Sequence, residues 1–398
     1  MNIKERIQKL SQEYYEDIQT IRRHLHKHPE LSFQEFNTSG FIIEKLSESG
    51  IPFQKGFLKT GILGIIKGKN PANKTIALRA DIDALPINEK TNLEFQSVNK
   101  GVMHACGHDV HTSVLIGAGK ILHQLRDEFE GTVLLIFQPG EEKHPGGAKL
   151  LMEEGIFSEY QPEAIIGQHV MPAYETGTAG FKTGQYMASA DELYLNVKGR
   201  GGHAALPGQT DDTVLAASEI ILEIKKTIYR ENYSNIPTVI SFGKVTANGA
   251  TNVIPDEVNI EGTFRTFDET WRNAAHKIIR LTADSIAKKH HCNGEVKILK
   301  GYPSLINNEE ITSLSKKYAT EYLGDDNIID MDIRMTADDF SYFSQKYPAT
   351  YYRLGIKEKG TGKEYGLHTS EFYVDEKSLE TGTGLMAWIA LSLLNRNE

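Results

Sequence analysis

The chain has 398 residues, 39% of them hydrophobic and 24% charged, which suits two packed globular units with ample core. A formal net charge of −9 excludes the basic face that nucleic acid or an anionic membrane surface would require, so neither is an expected partner. Two cysteines and no apolar run near ~18 residues exclude a disulfide framework and a membrane-spanning helix.

The chain opens on "MNIKERIQKLSQEYYEDI", charged where a secretory leader would be apolar, and a reducing cytoplasm is the expected compartment. Ile7, Leu10, Tyr14, Ile18 and Ile21 recur three or four apart and predict helix. "HPELSF" breaks it, because Pro29 disfavours helix at His28, and a second amphipathic segment with Phe41, Ile42 and Leu46 closes near Gly50. Short apolar runs follow ("GILGII", "TIALRA", "VLLIF", "AIIGQHV") and alternate with helical stretches such as "SVLIGAGKILHQL", predicting the buried strands of an α/β sheet. From about Asp191 the pattern changes. "ELYLNVKGRGG", "TVISFGKVTAN", "EVNIEGTFRTF" and "NGEVKILKGYP" predict strands around two long amphipathic helices, an α+β unit with an antiparallel sheet. After about residue 305 helices resume, and "TYYRLGI" predicts one more strand. The expected fold is α/β, a mixed and largely parallel sheet interrupted by an inserted α+β domain.

Polar groups of one chemical kind follow the predicted strands. Asp81 and Asp83 come after "TIAL", Glu141 and Glu142 after "VLLIF", and His169 after "AIIG"; His368 follows "YYRLGI" and a glycine-containing loop. In an open α/β sheet, functional groups collect beyond the carboxyl ends of the strands. Cys106 and His108, two apart in "MHACGHDVH", can turn toward one centre. Cys106, His108, Glu142, His169 and His368 are five donors, one more than a tetrahedral shell holds, which predicts two divalent ions sharing a ligand; zinc, manganese, cobalt and nickel all suit such donors. In "QPGEE" one glutamate can ligate while its neighbour takes a proton from water, although acidic residues also suit a helix N-terminus. The competing reading makes Cys106 a nucleophile served by His104, His108 and Asp109, but it leaves Glu141, Glu142, His169 and His368 without a role.

"RRHLHKHPELSFQE", "ALRADIDALPI", "MHACGHDVHTSVLIGAG", "FQPGEE" and "GQHVMPAYETG" resemble the amidohydrolase branch of the aminoacylase and carboxypeptidase-type dinuclear metallopeptidases, which includes hippurate hydrolases, hydrolases of auxin–amino acid conjugates and N-acetyldiaminopimelate deacetylases. The likeness continues through "GRGGHAALP", "NVIPDEV", "GTFRTF", "TADDFSYF" and "LHTSEF", nearly the whole chain. It implies a catalytic domain of residues 1–185 and 299–398 around a lid and dimerisation domain of 186–298, and hence a homodimer or higher oligomer. It implies Cys106, His108, Glu142, His169 and His368 as the metal ligands and Glu141 as general base and later acid. Asp81 would orient a ligand histidine, with Asp83 the weaker candidate. His203 would stabilise the oxyanion from the lid, and Asn252 and Arg265 would hold the substrate carboxylate. The implied reaction is hydrolysis of an N-acyl amino acid by metal-activated hydroxide; a dipeptidase or carboxypeptidase with the same site is the alternative, and a non-catalytic binder conflicts with the full donor set. The chain departs from the family pattern at Thr369 and Ser370, where a proline is usual, predicting a looser loop after His368. Asp338 stands where a glutamate is usual.

Overall fold

A computed structural model describes residues 1–361 and 364–396; Gly362 and Lys363 in the loop before His368, and Asn397 and Glu398 at the end of the expected catalytic segment, lie outside the described residues. The chain divides into two compact units, the first formed by 1–184, 306–332 and 339–398, the second by 185–305 and 333–338.

Three helices open the first unit: α1 (Ile3–Glu13), α2 (Tyr15–Lys27) and α3 (Phe36–Glu48). Asn2 and Glu5 form a reciprocal capping box on α1, and α2 stops at Lys27, one residue before the position that Pro29 restricts. Then come β1 (Phe53–Phe57), β2 (Gly61–Lys67), β3 (Thr75–Asp81), α4 (His108–Gln124), β4 (Thr132–Gln138), α5 (Gly147–Glu153), β5 (Ala164–Glu175) and β6 (Ala179–Phe181). The chain leaves this unit at β7 (Gly184–Met187). Next are β8 (Asp191–Lys198), β9 (Gly202–His203), α6 (Thr213–Glu231), β10 (Thr238–Ala247), β11 (Val253–Ile254), β12 (Glu257–Thr266), α7 (Glu269–Lys289) and β13 (Asn293–Lys300). It returns through β14 (Leu305–Asn307) to α8 (Glu309–Leu323), β15 (Ile328–Asp330), α9 (Ser341–Ser344), β16 (Ala349–Lys357) and α10 (Ser378–Leu394).

The sheet of the first unit has the order β1-β2-β4-β3-β5-β16-β6-β15. Its middle, β4-β3-β5-β16, is parallel, while β1–β2, β2–β4 and β16–β6 are antiparallel, so the sheet is mixed as expected. The parallel strands are apolar on both faces, and α4 and α10 are buried along nearly their whole length, as helices covering such a sheet must be. One expectation is corrected. His169 is not in a loop after a strand but inside β5, because β5 stays paired with β16 out to Glu175. Its pairing with β3 ends at Gly167, so His169 still projects beyond the carboxyl end of β3.

In the second unit, the four-stranded antiparallel sheet runs β10-β12-β8-β13. β8 alternates buried Leu193, Leu195 and Val197 with more exposed neighbours, and the buried set packs with Ile220 and Ile224 of α6 and Ala275 and Ile279 of α7.

Candidate metal centre

Four segments of the first unit place donors together. Cys106 precedes α4 and His108 opens it; Gly107 between them sits at φ 82, a left-handed conformation that reverses the chain and directs both side chains inward. A Cβ on Gly107 would lie 2.6 Å from Val170, the neighbour of His169, so close approach also requires glycine. His368 arrives on a loop and itself adopts φ 61, a strained setting for a histidine, held by its N–H donating to Ala105 O at 2.8 Å. After His368 the loop makes two hydrogen bonds in place of the usual proline: Thr369 Oγ1 donates to Gly366 O, and Lys90 N donates to Ser370 O.

The donors converge. Cys106 Sγ is 3.4 Å from His169 Nε2 and 3.3 Å from His368 Nε2, and His368 Nε2 is 3.2 Å from Glu142 Oε1. Ligands of one tetrahedral ion at ~2.0–2.3 Å stand about 3.5 Å apart, so these separations fit shared coordination. Cys106, His108 and His169 form one potential ligand group, and Cys106, Glu142 and His368 a second, with Cys106 common to both. His108 Nδ1 donates to Asp83 and His169 Nδ1 to Val170 O at 2.7 Å, which turns each Nε2 lone pair toward the centre. His108 Nε2 and Glu142 Oε1 are buried without a hydrogen bond among the described residues, the condition of groups shaped for an ion.

Electrostatics agree. Burial favours neutral His108, but Asp81, Asp83 and Glu142 outweigh it and raise its pKa to about 10, so the pocket calls for a cation. Burial, Arg353 and His111 push His169 well below the imidazole range, into the neutral form that can ligate. Burial also lowers His111, which must be neutral: its Nδ1 donates to Asp81 Oδ1 at 2.6 Å and its Nε2 accepts the Val170 N–H at 3.0 Å.

The contact expected of Asp81 is made by Asp83. Asp83 accepts His108 Nδ1 through its backbone oxygen at 2.9 Å and Oδ1 at 3.2 Å, while Asp81 Oδ2 stands 3.7 Å from His108 Nε2. The cause is the pleat and the partners: β3 ends on Asp81, whose carboxylate is bound by buried Arg79 and His111. Burial would raise both aspartates, but Arg79, His108 and His111 hold Asp81 well below the usual carboxylate range, and the His108 hydrogen bond lowers Asp83. Asp81 instead steadies the His169 segment through His111 and the Val170 amide.

Glu141 Oε2 is 4.0 Å and Glu142 Oε1 3.9 Å from His108 Nε2, so both carboxylates face the centre. They lie in a turn, five or six residues ahead of α5, which excludes the helix N-terminus as the reason for the pair. The cysteine-nucleophile constellation does not form. The imidazoles against Sγ belong to His169 and His368; His104 makes no hydrogen bond among the described residues, and Asp109 is bound by Arg22 and His26.

The remaining candidates belong to the second unit. His203 is exposed on β9, with Nδ1 accepting the Ala205 N–H at 3.1 Å. Asn252 is exposed nearby, its carbonyl accepting the Ala204 N–H at 3.0 Å. Arg265 is half-buried on β12 and donates to Met335 O at 2.8 Å; burial lowers its pKa. Asp338 is buried.

His111, Arg79, Asp339 and Glu35 also belong to the site's surroundings, without a role that the sequence motifs indicate. His111 was within reach of sequence reasoning, three residues after His108 on one helix and therefore on the same face. Asp339 joins the site by receiving Arg79, Gln138 and the Ala148 N–H on its carboxylate while its own N–H faces Glu141 Oε1 at 3.4 Å. Nothing local in the sequence signals that link across 198 residues.

The profile of "Peptidase family M20/M25/M40" matches residues 77–392. The chain is 38% identical over 378 residues to the N-acetyl-L-cysteine deacetylase of Bacillus subtilis, covering 95% of this chain and 88% of that one. It is 36% identical over 399 residues to thermostable carboxypeptidase 1 of Saccharolobus solfataricus, covering 100% of both. Among solved structures, the YxeP protein of Bacillus subtilis, described as a dinuclear metal binding peptidase, has a TM-score of 0.82 at 34% identity, covering 96% of this chain and 99% of that one.

Proposed function

The chain belongs to the peptidase family M20/M25/M40 and is a metal-dependent amidohydrolase, and from that premise we propose that it cleaves the amide bond of N-acyl amino acids to a carboxylate and a free amino acid. Cys106, His108, Glu142, His169 and His368 are the proposed ligands of two divalent ions, drawn from zinc, manganese, cobalt or nickel. The observation that carries this reading is the sharing of Cys106 between two groups of donors. Such ions, when bound, polarise the scissile carbonyl and lower the pKa of water.

Glu141 accepts the proton of the attacking water on its carboxylate and delivers it to the leaving nitrogen, which must leave as an amine. Asp83 holds His108 and the Glu142 amide in register, and Asp81 fixes the Nδ1–H tautomer of His111, whose Nε2 then accepts the amide next to His169. His203 is proposed to stabilise the oxyanion, and Asn252 and Arg265 the substrate's free carboxylate, for which a guanidinium fork is suited. Residues 186–298 are proposed as the lid through which a homodimer or larger oligomer forms, in the cytoplasm. Among the described residues no helix is long and apolar enough to cross a membrane.

The N-acyl reading draws on the likeness to a deacetylase, and likeness to a carboxypeptidase over the full chain supports the peptide reading. Metal-free protein is assayed on a panel of N-acyl amino acids and dipeptides, with zinc, manganese, cobalt and nickel restored singly. Release of amino acid from the acyl substrates on metal return, with Glu141→Gln slower by about 10²–10⁴-fold at unchanged metal content, is the expected outcome. Cleavage of dipeptides alone moves the substrate to peptides. Activity that survives metal removal overturns the reading.

A further inference from the structure

The "QPGEE" turn has to present two adjacent glutamates in different directions, and its backbone is fixed by a segment from far away in sequence. Gly140 adopts φ 67, and the place a Cβ would take lies 2.3 Å from the Phe33 ring. Phe33 itself adopts φ 64, a left-handed conformation costly for an aromatic residue. Both left-handed residues are tied to one carboxylate: Glu35 Oε1 accepts the Phe33 N–H at 2.8 Å and the Gly140 N–H at 2.9 Å, and Oε2 accepts the Thr60 hydroxyl at 2.9 Å. Two residues on, the Glu142 N–H donates to Asp83 Oδ2 at 3.0 Å, which also accepts the Ser32 hydroxyl at 2.6 Å. Ser32, Phe33 and Glu35 thus all bear on the turn, directly or through Asp83. They precede the matched residues 77–392.

We propose that Glu35 is a positioning residue for the Gly140–Glu142 turn, locking the backbone from which Glu141 reaches the reacting water. Glu35 is fully buried and, among the described residues, hydrogen-bonds neither the donor group nor Glu141; its hydrogen bond to the turn is to the backbone N–H of Gly140. A buried carboxyl beside another carboxylate is a destabilising choice for a loop anchor, and a strained Phe33 adds to it. Both become intelligible if the turn must be held in one conformation rather than merely packed. A side chain displaced by about 1 Å can lose about 10²-fold in rate. The role rests on the reading of Glu141 as the proton carrier.

Amide hydrogen exchange on the metal-free protein is the first test, because it depends on neither metal nor substrate. In Glu35→Ala the peptide spanning 138–146 is expected to exchange about 10-fold faster, the loss of one hydrogen bond, while peptides from β3 and α4 keep their protection. With metal restored, kcat should fall about 10- to 100-fold with KM and metal content unchanged, and Glu35→Gln should recover most of both losses. Glu141→Gln should lose kcat with no change in exchange, separating the proton carrier from the residue that positions it. If the native protein hydrolyses nothing on the panel, the proposed reaction fails while the exchange result still decides the turn. Should Glu35→Ala not fold, Phe33→Gly removes the ring from Gly140 and relieves the left-handed strain, and the same peptide should again exchange faster. Unchanged exchange at 138–146, or a loss of protection spread over every peptide with a lower melting temperature, overturns the proposal.

Discussion

Asp83 makes more of the site than its neighbour two residues earlier. One oxygen of its carboxylate meets the His108 ring and the other the Glu142 amide, so a single side chain sets two proposed donors relative to each other. In Asp83→Asn the amide group must turn its own N–H₂ toward one of those two donors. Metal affinity, measured by titration calorimetry, should fall about 10- to 100-fold, the usual effect of removing the partner of a ligating histidine. Glu35 carries a separate signature. Burial and then Asp83 raise its carboxyl from the usual 4.5 to about 7. The folded protein therefore holds this proton more tightly than the unfolded chain, and the stability it brings is complete below about pH 4.5 and lost as the pH rises through about 7. Denaturation of metal-free protein should show Glu35→Gln gaining on the native chain over that range, by at most roughly 3 kcal/mol. The cysteine, the histidines and the paired glutamates were legible because their chemistry is unusual for a buried strand end. That Asp83 rather than Asp81 meets His108 was not, because two aspartates in "RADID" look alike until Arg79 and His111 have claimed one of them.

Elements were legible where their period is long and regular. α4 and β3 come out as their patterns predict, and the glutamates of "QPGEE" follow a strand as expected, whereas His169 does not lie in a loop. Apolar runs show where a strand is buried but not where its partners end, and β5 continues past its apolar run because β16 pairs with it as far as Glu175. Nor does an acidic pair reveal whether helix follows at once; here the chain needs a turn first, and α5 starts only at Gly147. The start of α4 gives a test at this scale. Gly107→Ala places a methyl in the left-handed region and against Val170, so chemical denaturation should register a loss of about 1–3 kcal/mol. Metal affinity should weaken with it, since Cys106 and His108 flank the change.

At the scale of the whole molecule, the fold class could be read from the change of texture near Asp191, where buried runs give way to alternating strands. All five proposed ligands lie in the first unit. Chelation should accordingly raise hydrogen exchange in β3, β5 and α4 and leave α6 and α7 of the second unit unchanged. Tight metal, at about a thousand times its dissociation constant, stabilises by about 4 kcal/mol, well within reach of that measurement. The position of β16 has a consequence for synthesis. It lies between β5 and β6, so strands made early cannot complete their sheet until residue 357 has been added. At about 5–20 residues per second, a ribosome leaves the apolar flank of β5 without its neighbour for roughly 10–40 s. The second unit, made mostly in one stretch, can fold during that interval. The first 184 residues meanwhile hold an open edge toward other nascent chains, and that interval is when this protein most needs a chaperone.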